Sequence, residues 1–192
     1  MTNLEAVNTI LRAIGQVPVS DVPTTGFSDG KIAFDVLEEY ANELQSEGYE
    51  FNTHERVELL PDVNGNITVP GQYIRITASD HYNRYTVRGN RIYDLIKDTD
   101  VFSDSVEVSA VELLPFEQLP FTLQRYVTIR AARVFANRVI GAGEQNSYNQ
   151  EDEVRARLAW LNAVAEDEDM NVLSNNDRVR PNSYRPYKTL VR

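Results

Sequence analysis

The chain has 192 residues, 42% of them hydrophobic, and a formal net charge of −10. That length buries a sizeable core in one large domain or two small ones, while the lack of cysteine excludes a disulfide framework and any thiolate metal site. No apolar run approaches the roughly 18 residues of a membrane span, and the acidity argues against general nucleic-acid binding, which needs local positive charge. Of the 19 basic residues 16 are arginine, a bias toward fixed, bidentate pairing with carboxylates.

The periodicity predicts a first helix over 3–14, with Asn3 as its N-cap and Leu4, Val7, Leu11 and Ile14 on one face. This opening lacks a basic n-region and a small-residue cleavage site, so it reads as a helix and not as a signal peptide. A loop containing Pro18 and Pro23 leads to a second helix over 29–47, capped by Ser28. Its apolar stripe is Ile32, Ala33, Val36, Leu37, Tyr40 and Leu44, and Asp35, Glu38, Glu39 and Glu43 make an acidic outer face.

The period then changes from 3.6 to 2. Six short alternating runs are expected as strands, at 51–60, 67–69, 73–77, 84–88, 91–96 and 106–114. Gly89-Asn90 is a two-residue hairpin signal, and Pro61-Asp62 and Asn64-Gly65 mark further turns. Helices return with a long one over 119–143. Its circumference is apolar nearly all round: Leu123, Val127 and Val134 on one face, Phe135 and Val139 near the next, Ile129 and Ile140 behind. Such a helix is buried, and Arg125, Arg130, Arg133 and Arg138 spread around it then need acidic partners or another chain. The last helix is predicted over 150–168, with Val154, Leu158, Leu161 and Ala165 as its stripe and Trp160 and Val164 pointing elsewhere.

From 171 onward no period is visible. The segment from Ser174 carries Arg178, Arg180, Arg185, Lys188 and Arg192 against Asp177, and with Tyr184 and Tyr187 it has the residues that anchor interfaces. It reads as an arm that orders against a partner. The fold class is therefore α+β: a four-helix bundle formed by the N- and C-terminal helices, with an inserted small antiparallel β module and an extended C-terminal arm. The expected boundaries are 1–48 with 116–170 for a discontinuous helical domain, 49–115 for the β module and 171–192 for the arm.

Catalytic motifs are weak. Gly26-Phe27-Ser28-Asp29-Gly30 matches a G-x-S-x-G pattern, but no buried strand precedes it, and Ser28 is better explained as a cap. His54 and His81 stand outside any H-E-x-x-H arrangement. Carboxylate pairs such as Glu55 with Glu58, or Asp94, are inevitable among 29 acidic residues. No Gly-rich phosphate loop is present, and no metal or other cofactor is expected.

Three segments carry a resemblance: AVNTILRAIGQVPVSDV, GYEFNTHERVELLPDV and AARVFANRVIGA. Together they make the chain resemble the tail tubular protein A family, head-to-tail adaptors of short-tailed phages, from about Leu4 to Ala165 in the same order. The resemblance implies a structural virion protein of the tail or neck, not an enzyme, made in the host bacterial cytoplasm. It implies twelve copies in a ring between the phage portal protein and the tail nozzle protein. The ring would extend the DNA ejection channel and help seat tail fibres, with DNA passing through the lumen without specific binding and no membrane involved. The arm residues Arg178, Arg180, Tyr184, Arg185, Tyr187 and Lys188 would then reach the portal. Arg130, Arg133, Phe135 and Arg138 would meet Glu38, Glu39 and Glu43 of a neighbouring subunit, as the heterologous interfaces of a ring allow. Asp62, Asn64 and Asn90 would face the nozzle or fibres. The alternative reading is a tail-associated glycan hydrolase using the β-module carboxylates Glu55, Glu58 and Asp94.

Overall fold

The computed structural model describes residues 1–173 apart from 24, 80–81, 140 and 142–144, and gives only the backbone over 145–149 and 166–173. Helix α1 (Asn3–Arg12) is capped by Thr2, not by Asn3. The Thr2 hydroxyl accepts from the Glu5 N–H at 3.2 Å, and the Glu5 carboxylate accepts from the Thr2 N–H at 2.9 Å. This reciprocal box needs Ser or Thr three residues before Glu, and Thr2-x-x-Glu5 supplies it. Helix α2 (Asp29–Gln45) starts at the expected cap, with the Ser28 hydroxyl accepting from the Lys31 N–H at 3.2 Å.

Five strands follow: β1 (Thr53–Leu59), β2 (Tyr73–Ala78), β3 (Tyr85–Arg88), β4 (Arg91–Asp94) and β5 (Val106–Glu112). β1, β5 and β2 form an antiparallel sheet in that order, and β3 pairs with β4 through the Gly89-Asn90 turn. Gly89 sits at a φ of +65°, which that turn requires and glycine supplies without strain. The sixth expected strand, 67–69, does not form. Ile67 and Val69 are buried as the alternation implied, yet the segment makes only one isolated bridge, Thr68 to Arg91, and two backbone bonds to the edge of the hairpin. Pro70 follows with no N–H to continue a ladder.

The long helix is α3 (Phe121–Val139), which starts just after Pro120, whose carbonyl accepts from the Gln124 N–H. It packs on α1, α2 and α4 (Gln145–Leu173). Three neighbours explain an apolar circumference without any second chain. α4 begins five residues earlier than its periodicity suggests and runs five further, through the first residues assigned to the arm. It also packs on the other face. Ala156 and Trp160 are buried with Val164 against them, while Val154, Leu158, Leu161 and Ala165 lie on the exposed side. Both faces carry apolar residues at helical spacing. The indole distinguishes them, because it meets Tyr49 edge-on at 5.1 Å and Phe51 at 6.0 Å, an aromatic cluster that the aliphatic stripe could not join in the same way.

Buried residues fall into two apolar clusters. One joins α1, α2, α3 and α4 around Ile10, Leu37, Leu123, Val127 and Phe135; the other fills the β module around Ile67, Ile92 and Val108. Polar side chains tie them where the chain crosses from one to the other. Buried Gln45 donates to the Leu114 carbonyl at 3.1 Å and accepts from the Leu114 N–H at 2.8 Å. Buried Asn52 donates to the carbonyls of Gln45 and Glu112, both at 3.0 Å, and accepts from the Tyr49 N–H at 2.8 Å. Arg75, reaching from β2, donates to the Ser46 and Glu47 carbonyls, so a strand residue caps the C-terminus of α2. Gly48 makes room for it: its φ is +77°, and a Cβ there would stand 2.2 Å from the Arg75 guanidinium.

Candidate functional site

Three of the four arginines of α3 find carboxylates within the chain, and Arg125 is exposed to solvent. Arg138 makes a two-armed contact to Glu39, at 3.1 and 3.3 Å, and that hydrogen bond holds its guanidinium above its ordinary range. Arg130 reaches Glu43 at 3.2 Å, donates to the Tyr126 hydroxyl at 3.1 Å, and lies 4.7 Å from the centre of the Tyr40 ring. Burial works against its charge, but Tyr126 and Glu43 outweigh that and raise its pKa. Arg133 pairs with Glu153 of α4. The complement expected on a neighbouring subunit therefore stands on α2 and α4 of the same chain. Phe135 is fully enclosed in the helical core, and Glu38 stays exposed with no ion pair among the described residues.

Both partners of the Arg138–Glu39 pair are half exposed, and an exposed pair contributes about 0–1 kcal/mol. Replacing Arg138 by alanine is expected to cost less than about 1 kcal/mol in urea unfolding, a loss that shrinks further in high salt.

Of the loop residues assigned to a nozzle or fibre contact, Asp62, Asn64 and Asn90 are all exposed. The Asp62 carboxylate accepts from the N–H groups of Asn64 and Asn66, which hold its pKa below the usual range and fix the loop. Beside this loop Leu60, Val63 and Val101 are exposed, and the Phe102 N–H bonds to the Gly65 carbonyl. The arm residues Arg178, Arg180, Tyr184, Arg185, Tyr187 and Lys188 lie outside the described residues, as does His81.

The residues that suggested chemistry are occupied otherwise. Ser28 caps α2. His54 contacts the Glu112 carboxylate at 2.7 Å, one strand across. Asp94 is buried and accepts from the N–H groups of Ile96 and Lys97, which shapes the turn after β4. Burial, with a hydrogen bond to Glu47, pushes the Tyr49 hydroxyl up to about 12 beside Trp160. Sequence reasoning missed the exposed apolar side chains outside the expected stripes. Phe27, one residue before the Ser28 cap, is fully exposed, and Val17 in the preceding loop is exposed too; Ile32, expected on the packed stripe of α2, lies in the first turn of that helix and is 43% exposed instead.

Caps, internal ion pairs and an aromatic cluster tie the helices together, while apolar side chains remain on the outer faces. The chain belongs to the tail tubular protein family, whose sequence model matches residues 4–170. It is 32% identical over 154 residues to tail tubular protein A of Klebsiella phage KP34, which covers 80% of this chain and 82% of that protein. It is accordingly a structural protein of the phage virion tail, and the glycan hydrolase reading of Glu55, Glu58 and Asp94 falls with that membership.

Proposed function

We propose that this chain is the head-to-tail adaptor of its virion, a ring of about twelve copies joining the portal to the tail nozzle and continuing the DNA channel. The observation that carries the reading is the family match, which runs unbroken through the helical elements and the β module. In this reading residues 1–48 and 116–170 form the body of the ring, and 49–115 form the module that meets the nozzle or fibres through Asp62, Asn64 and Asn90. The two separate apolar clusters support that division. The arm from 171 carries Arg178, Arg180, Tyr184, Arg185, Tyr187 and Lys188 to the portal. Twelve chains at −10 each carry a formal charge on the order of −120, which discourages DNA from adhering as it passes.

The test is mass in solution with and without purified portal, for the full chain and for a chain ending at Leu173, which keeps α4 whole. The full chain should add to the portal as a stoichiometric ring, and the shortened chain should bind at least tenfold more weakly. A full chain that binds isolated nozzle but not portal would place the protein elsewhere in the tail.

A further inference from the structure

We infer that Asn64 is a site of covalent ageing, spontaneous deamidation of its side chain, and that Asp62 holds the reaction back by keeping the turn around it closed. Asn64-Gly65 is the only Asn-Gly step in the chain. Glycine puts no side chain in the way of the backbone nitrogen that follows the amide, so this step is the most reactive of its kind. Asn64 is exposed, and its amide makes no hydrogen bond among the described residues. The side chain is free to react. In the reaction the Gly65 nitrogen, having given up its proton, attacks the carbonyl carbon of the Asn64 side chain. A C–N bond forms, a succinimide ring closes, and ammonia leaves with a proton. Water then opens the ring at either carbonyl and leaves aspartate or isoaspartate.

The nitrogen that must attack is the one the turn keeps occupied. The Gly65 N–H donates to the Asp62 carbonyl at 2.9 Å. Ring closure puts carbon where that proton stands, so the bond and the ring exclude each other. The Asp62 carboxylate reinforces the closed turn, accepting from the Asn64 N–H at 2.8 Å and from the Asn66 N–H at 2.9 Å. Hydrogen bonds to a carboxylate are about twice as strong as neutral ones. The Asp62 N–H donates to the Asn66 carbonyl at 2.8 Å, and the Gly65 carbonyl accepts from the Phe102 N–H at 2.8 Å, so the turn is tied at both sides. It must therefore open locally before Asn64 reacts, and the rate is the open-chain rate multiplied by the open fraction. The product sets a new carboxylate two residues from Asp62, and isoaspartate also lengthens the backbone by one carbon. An aged loop then presents a different surface to the nozzle or fibres; that consequence rests on the contact reading above, whereas the chemistry of the turn does not.

The test is to warm the full chain at mildly alkaline pH and follow Asn64 by peptide mass and isoaspartate content. The folded chain should convert Asn64 at least tenfold more slowly than the same chain unfolded in urea. Exchange of the Gly65 N–H with deuterium reads the same opening in the wild type and should be slowed by a matching factor, within threefold. Asp62→Ala should speed conversion in the folded chain at least fivefold while its thermal midpoint stays within about 3 °C. Asp62→Asn keeps an oxygen that can accept both N–H groups and should stay nearer the wild type than Asp62→Ala does. Conversion of the folded wild type at the urea rate would overturn the protection, and an Asn64 that stays intact even in urea would overturn the site itself. Unchanged conversion in Asp62→Ala would overturn the part given to Asp62. An Asp62→Asn chain as fast as Asp62→Ala would overturn the hydrogen-bond account in favour of charge.

Discussion

Replacing Phe135 by alanine is expected to lower the unfolding free energy of the isolated chain by about 3–5 kcal/mol, the cost of an aromatic cavity in a core that cannot fully collapse. Phe135 is among the largest fully buried side chains, surrounded in the cluster that joins all four helices. A domain of this size holds about 5–15 kcal/mol in total, so the variant approaches the edge of folding at 37 °C. The measurement is equilibrium urea unfolding of the free chain, with the slope unchanged and the midpoint shifted. It also separates the two roles the residue was given. A core residue costs stability in the free chain, whereas an interface residue costs only assembly. An unshifted midpoint would return Phe135 to the subunit interface.

The second large effect is expected at Gln45. Alanine there leaves the N–H and the carbonyl of Leu114 both without a partner, at about 1–3 kcal/mol for each buried group. The expected loss is roughly 2–5 kcal/mol after partial relaxation, again read by urea unfolding. Gln45→Met distinguishes the cause, because it fills the same volume and restores neither hydrogen bond. If methionine recovers most of the stability, the effect was packing. If it does not, the amide is holding the crossing between the helical core and the β module.

The elements were largely legible because each has local chemistry that announces it. Ser28 before an apolar stripe, Gly48 after it, and Gly89-Asn90 between alternating runs each perform in the fold the task their residue type suggests. The errors came where two local signals competed. Asn3 is a fair cap, but Thr2 with Glu5 satisfies two orphan groups at once and wins. On α4 two apolar stripes were available, and the choice depended on Tyr49 and Phe51, about a hundred residues away. No periodicity could carry that information.

The arginines teach the same point about surfaces. Their number and spread showed that carboxylates were needed, and the sequence offered Glu39 and Glu43 on a face that helix two turned outward. Whether those glutamates came from the same chain or a neighbour depended on how α2 lies against α3. The structure sets the two antiparallel, with Glu43 at Arg130 and Glu39 at Arg138. The candidate surfaces that remain are the apolar side chains no internal partner claims, and exposure of that kind is visible only once the helices are packed.

Asn52 also bears on what it costs to close the insertion. Its side chain reaches backbone on both sides of the insertion, so the entry and exit of the β module, 60 residues apart in the chain, meet within one amide's span. Closing a loop of that length from an open chain costs on the order of 3–4 kcal/mol of entropy. A β module that folds first absorbs this cost itself and presents α2 and α3 to each other as though a short turn joined them.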